Sequence, residues 1–156
     1  MLPISTFMLK QVLKELFHRD LGKLKNEISA YRNEQKLWYI EKSIANSGGN
    51  LCLHLVGSLN TYIGAELGKT GYVRDRPLEF SAKDVPQQKL LQMIDDTTAV
   101  VDAALDKLTD QDMENEYPQL VFEQKTTTGY FLAHLAMHLN YHLGQINYHR
   151  RLLDEA

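Results

Sequence analysis

The chain has 156 residues, 17 of them basic and 20 acidic, with a formal charge of −3 and one cysteine. That length suits a single domain, which buries roughly 70% of the surface its unfolded chain exposes, and the charge, spread along the chain, makes no electrostatic case for nucleic acid or anionic membrane. The lone Cys52 excludes an intramolecular disulfide, and with no secretory leader and no apolar run of membrane-spanning length the expectation is a reducing cytoplasm and a small-molecule or protein partner.

From Ser5 to about Arg32 the apolar positions Leu9, Leu13, Leu16, Phe17, Leu24, Ile28 and Tyr31 recur at steps of mostly three and four, which predicts a long amphipathic helix with Pro3 and Ser5 at its start. A segment carrying Leu37, Trp38, Tyr39 and Ile40 then breaks at Asn46-Ser47-Gly48-Gly49-Asn50, a cluster of turn formers. A second helix is expected from about Asn50 to Leu67, ended by Gly68 and Gly71, and the turn between the first two helices reads as short, making them antiparallel neighbours. Gly68 to Val85 is a link rich in charge and turn residues. Within it, Arg74, Asp75 and Arg76 read as a solvated turn rather than an anion contact at a pocket mouth.

Asp84, Pro86 and Gln87 resemble a capped helix start, and Leu91, Ile94, Thr98, Val101, Leu105 and Leu108 form the seam of the third helix. Thr109 to Thr127 is irregular, with Pro118 and a Leu120-Val121-Phe122 run that either pairs as a minor strand or covers the core. The fourth helix runs from about Thr128 to Leu153, its inward stripe being Phe131, Leu135, His138, His142, Ile146, His149 and Leu153. Four helices without a strand pattern predict an all-α, single-domain four-helix bundle.

The chemistry concentrates in His134-x3-His138-x3-His142. Residues four apart stack on one helix face, and neutral imidazole is the commonest protein ligand for zinc, nickel and related ions. A catalytic-type site needs a third protein ligand, and His54 in the second helix is the candidate. It shares its face with Asn50, Gly57, Ser58, Thr61 and Ala65, small residues that leave room for a cavity. Cys52, two residues before it, is turned about 200° away. The competing reading of each histidine is a hydrogen-bonded core residue. Burying several imidazoles without partners costs about 1–3 kcal/mol apiece, which favours a metal. His134 and His149 continue the stripe and read as second-layer donors, helix-end residues or residues without a special role, and His18 reads as surface.

His54, then His138-x3-His142 followed by Leu143-Gly144-Gln145-Ile146 and Arg150, resembles the DinB-like (YfiT-like) superfamily of metal-dependent enzymes. The resemblance spans essentially the whole chain, including the Leu37-Trp38 segment, and its most specific element is the H-x3-H-x-G-Q run. It implies metal ligation by His54, His138 and His142, nickel or zinc as the ion, an up-down-down-up bundle, and often a homodimer. Members include thiol transferases of the bacillithiol and mycothiol type and a thiol-dependent maleylpyruvate isomerase, so a low-molecular-weight thiol is an implied cofactor. His134 has no ligand role in that pattern, and a fourth ligand would close the open site.

Three neutral imidazoles leave the cation its full charge, so a thiol or water held there becomes a nucleophile near neutral pH. The catalytic candidates are Gln145, as a hydrogen-bond partner of a ligand ring or of substrate, and Tyr141 near the same face; against these stand a helix-joining Gln145 and a packing Tyr141. No acidic residue lies on the stripe of His54 or within a turn of His138, which leaves Glu41 and Glu114 in the links as general-base candidates. The expected function is a thiol S-transferase or hydrolase acting on a small molecule. The alternative is a non-catalytic bundle that binds metal, or that dimerises through apolar surface left by Trp38 and Tyr39.

Overall fold

A computed structural model describes residues 6–154, so Pro3 and Ser5, the expected helix start, lie outside the described residues. Among the described residues six α-helices follow one another, and the only strand-like pairing is an isolated bridge between Glu116 and Thr127.

Helix α1 (Thr6–Ser29) buries Leu13, Phe17, Leu24 and Ile28 as the periodicity predicts, together with Leu21 and the carboxylate of Asp20. That carboxylate is held by Arg19 Nε at 2.8 Å and Asn140 Nδ2 at 3.1 Å. The 30–47 segment then crosses one end of the molecule through a 3-10 turn (Glu34–Trp38) capped by the Asn33 side chain. It inserts Tyr31, Leu37 and Trp38 into the core. Trp38 is therefore not the exposed apolar surface expected of it. Its ring packs so closely on the next helix that a Cβ at Gly49 would sit 2.8 Å from it.

Helix α2 (Gly48–Leu59) starts two residues before the expected Asn50, because the Ser47 side chain accepts from Asn50 N and serves as its cap. All twelve of its residues are buried, its polar side chains Asn50, His54 and Ser58 lying four apart on one face. It does not continue as a regular helix to Leu67. Asn60–Ala65 form a π-helical turn, with Glu66 N bonded back to Thr61 O and Gly68 N to Ile63 O, each five residues away.

The charged link contains a further helix, α3 (Arg76–Ser81), too short to show an apolar period. Asp75 caps it by accepting from Leu78 N, with Pro77 in its first turn. Asn50 in α2 binds it down, donating from Nδ2 to the carbonyls of Glu79 (3.0 Å) and Ala82 (2.9 Å).

Helix α4 (Gln87–Lys107) begins after Pro86, and no side chain caps it. Asp84, the expected cap, has a left-handed backbone (φ 57°), and Gln87 instead donates from Nε2 to the carbonyls of Ile28 and Tyr31. Its buried seam is Leu90, Ile94, Thr97, Val101, Ala104 and Leu105, so Leu91 and Thr98 stand at its flank rather than at its centre. Helix α5 (Asp110–Glu114) closes on a reciprocal Thr109–Asp112 capping box. In the following stretch Leu120 is exposed, whereas Phe122 packs on Phe131 and His134, so the run covers the core rather than forming a strand. Helix α6 (Thr128–Leu153) has the expected bounds, with Thr127 as cap.

Helices α1 and α2 each pack on both α4 and α6, and α1 only touches α2. The first two long helices are thus not the close neighbours that a short turn would make them. The crossing segment is long enough to carry the chain across the end.

Candidate metal centre

Helix α2 delivers His54 from one side and α6 delivers His138 and His142, one turn apart, from the other. One ring nitrogen of each lies within 4.8 Å of the others, so the three could hold a metal ion. His138 Nε2 stands 3.2 Å from His54 Nε2 and 3.1 Å from His142 Nε2.

The far nitrogens determine what these near ones present. His54 Nδ1 donates to Glu79 Oε2 at 3.0 Å, the nearer partner and one that can only accept, although an Arg74 terminal nitrogen also stands 3.4 Å from it, and His142 Nδ1 donates to Gln145 Oε1 at 2.6 Å. A neutral imidazole with its proton on Nδ1 turns a lone pair outward from Nε2. Two lone pairs therefore face His138 Nε2, which has at most one proton to offer. The three nitrogens carry more acceptors than protons, a donor set that a divalent cation satisfies in full.

Burial supports the neutral forms. It pushes His138 down to about 4, with the neighbouring imidazoles acting in the same sense. For His54 burial also lowers the pKa and outweighs the opposing pull of Glu79.

Glu79 is the residue the sequence reading missed. It sits on α3, buried, and a second group fixes its carboxylate: Arg74 Nε at 2.6 Å from Oε1, with an Arg74 terminal nitrogen 3.0 Å from Oε2. A Cβ at Gly57, one turn along α2 from His54, would collide with that carboxylate. The signals available were the Asp75-x-Pro77 helix start and a glycine one turn after a histidine. Arg74 is accordingly no solvated turn. The other acidic candidates fare differently: neither Glu41 nor Glu114 lines the cavities beside the histidines.

His134 stays out of the cluster, stacking on Phe131 and meeting Phe122 edge-on at 4.7 Å. His149 is a core residue with both nitrogens engaged, Nδ1 accepting from Tyr31 Oη at 2.7 Å and Nε2 donating to Tyr39 O at 2.8 Å. His18 lies on the surface near Asp102. Cys52 is fully buried, its thiol pushed up to about 12 by desolvation. Tyr141 is 66% exposed, its ring 5.2 Å from that of His142.

Two cavities flank the histidines. One of about 220 Å³ opens on His54 and His138, and one of about 460 Å³ lies against His142, Gln145 and Tyr141 with Ile44 and Leu51 in its wall.

The chain belongs to the family described as protein of unknown function DUF1572, which matches residues 4–156. No curated protein matches it. No helix among the described residues is long and apolar enough to cross a membrane.

Proposed function

We propose that this chain is a divalent-metal-dependent enzyme of the DinB/YfiT-like superfamily, holding nickel or zinc through His54, His138 and His142 and acting on a small molecule as a thiol S-transferase or hydrolase. The observation that carries this reading is the meeting of three imidazoles from two helices, two of them with the outward nitrogen already claimed by Glu79 and Gln145. In this reading the whole chain is one domain, an up-down-down-up four-helix bundle, which the packing of α1 and α2 on both α4 and α6 supports. A reducing, cytoplasmic setting is supported by the single cysteine, held as a buried free thiol.

A divalent cation at this site supplies the positive charge that makes a thiol or water nucleophilic near neutral pH. The chain's own residues supply the rest. His54 and His142 are fixed in one tautomer by Glu79 and Gln145, Arg74 keeps the Glu79 carboxylate in position, and three protein ligands leave room for a small reactant. Tyr141 stands at the edge of the larger cavity, where it can hydrogen-bond a substrate.

Elemental analysis of the purified protein tests the reading. About one zinc or nickel per chain is expected, lost on replacing His54, His138 or His142 with Ala; uptake that survives all three changes would overturn it. Metal-dependent turnover of low-molecular-weight thiols with a chromogenic electrophile then separates an enzyme from a metal-binding scaffold.

A homodimer is part of the proposal. Tyr130, Met137, Tyr141, Tyr148 and Leu152 are all exposed on α6 at alternating steps of seven and four, an apolar stripe suited to a second copy. Sedimentation should show a dimer that Met137→Lys converts to monomer.

A further inference from the structure

The smaller cavity has a polarity that the three-histidine site does not by itself explain. Beyond His54 and His138, its wall includes Ser58, Tyr62, Arg74, Arg76, Val121 and His134, and no acidic side chain lines it. Arg74 is neutralised by Glu79, but among the described residues Arg76 forms no ion pair. Arg76 is exposed and rests against one aromatic ring. Its guanidinium lies 5.3 Å from the centre of the Phe80 ring, and that ring lies 5.1 Å from the ring of His54. The column His54–Phe80–Arg76 thus sets a positive, hydrogen-bond-rich group in the cavity wall, one aromatic ring removed from His54.

We infer that this cavity selects a small anionic reactant whose carboxylate is received by Arg76 while its reactive group lies against His54 and His138. The inference rests on the metal-centre reading above and adds the substrate class to it. A planar guanidinium matches a carboxylate with two parallel N–H bonds, and the neutral faces of Tyr62 and Val121 accept the intervening carbon chain. The nearby Glu79 carboxylate does not oppose this, since it does not line the cavity and is committed to His54 and Arg74.

The test uses zinc-loaded protein and thiols that share one head group. Mercaptopropionate and mercaptohexanoate are titrated calorimetrically against the mercaptoalcohols of the same lengths, in the wild type and in Arg76→Gln and Arg76→Lys, with zinc content measured on each sample. At least one acid should bind about tenfold more tightly than its alcohol in the wild type. Arg76→Gln should erase that preference without loss of zinc, and Arg76→Lys should keep part of it. Because every variant carries the same cation, attraction of a carboxylate to zinc cancels in the comparison. Zinc bound with equal affinities for acid and alcohol, no measurable binding of any of the four, or a preference that Arg76→Gln leaves intact overturns the inference alone. A wild-type protein that takes up no zinc overturns the metal centre and this inference with it.

Discussion

The carboxylate of Glu79 occupies the space that a side chain at Gly57 would fill, and from there its Oε2 reaches His54 Nδ1 at 3.0 Å. A missing Cβ on α2 and an acid on α3 are therefore one feature. It holds the ring of His54 with Nε2 toward His138.

Replacing Glu79 with Gln removes the charged acceptor behind that ring, and zinc affinity should fall about ten- to hundredfold, read by competition with a chromogenic chelator. Gly57→Ala should lose a similar amount, since the new methyl meets only the far end of the Glu79 side chain and displaces it while leaving α2 intact. In the double variant the two losses should not add, because both act through the same carboxylate. Additive losses would mean that Gly57 acts by another route.

Gln145 and Tyr141 both stand beside His142, and their roles should separate. Gln145→Leu removes the acceptor of His142 Nδ1–H and should weaken zinc binding about tenfold, whereas Tyr141→Phe should leave zinc binding unchanged, since its ring only packs on His142. The reverse pattern would exchange their assignments.

The metal-free protein should lose stability on mild acidification. Burial holds the His149 pKa below its ordinary value of about 6.5, while hydrogen bonds to Tyr31 and Tyr39 keep the neutral ring satisfied. Between those two values the unfolded chain binds a proton that the folded chain refuses. The contribution is therefore complete above about pH 6.5 and is lost as pH falls through the folded-state value. Urea unfolding of chelator-treated protein from about pH 7.5 down to 5 should show the decline, and His149→Gln should make it shallower without abolishing it, since burial also holds His54 and His138 below their ordinary values. A slope indifferent to that change would remove His149 as a cause.

Much of this molecule was legible because its helices are long and its donors periodic. The bounds of α6 followed from a stripe that returns every three or four residues, and the same spacing put His138 and His142 on one face. His54 was legible because small neighbours are unusual around a buried imidazole. By contrast, α3 spans fewer than two turns, too short for a period to register, so Glu79 went unread and Arg74 read as part of a solvated turn.

What the sequence by itself determined is local: helical content and a pair of imidazoles one turn apart, both set by backbone hydrogen bonding and side-chain spacing within a few residues. Only the tertiary structure decided which groups far apart in the chain stand together. The folding of 30–47 over the end of the molecule, the docking of α3 on α2 through Asn50, and the approach of Glu79 over Gly57 arise from packing and from the need to pair buried polar groups. Those requirements join residues across the chain, and no local pattern encodes them.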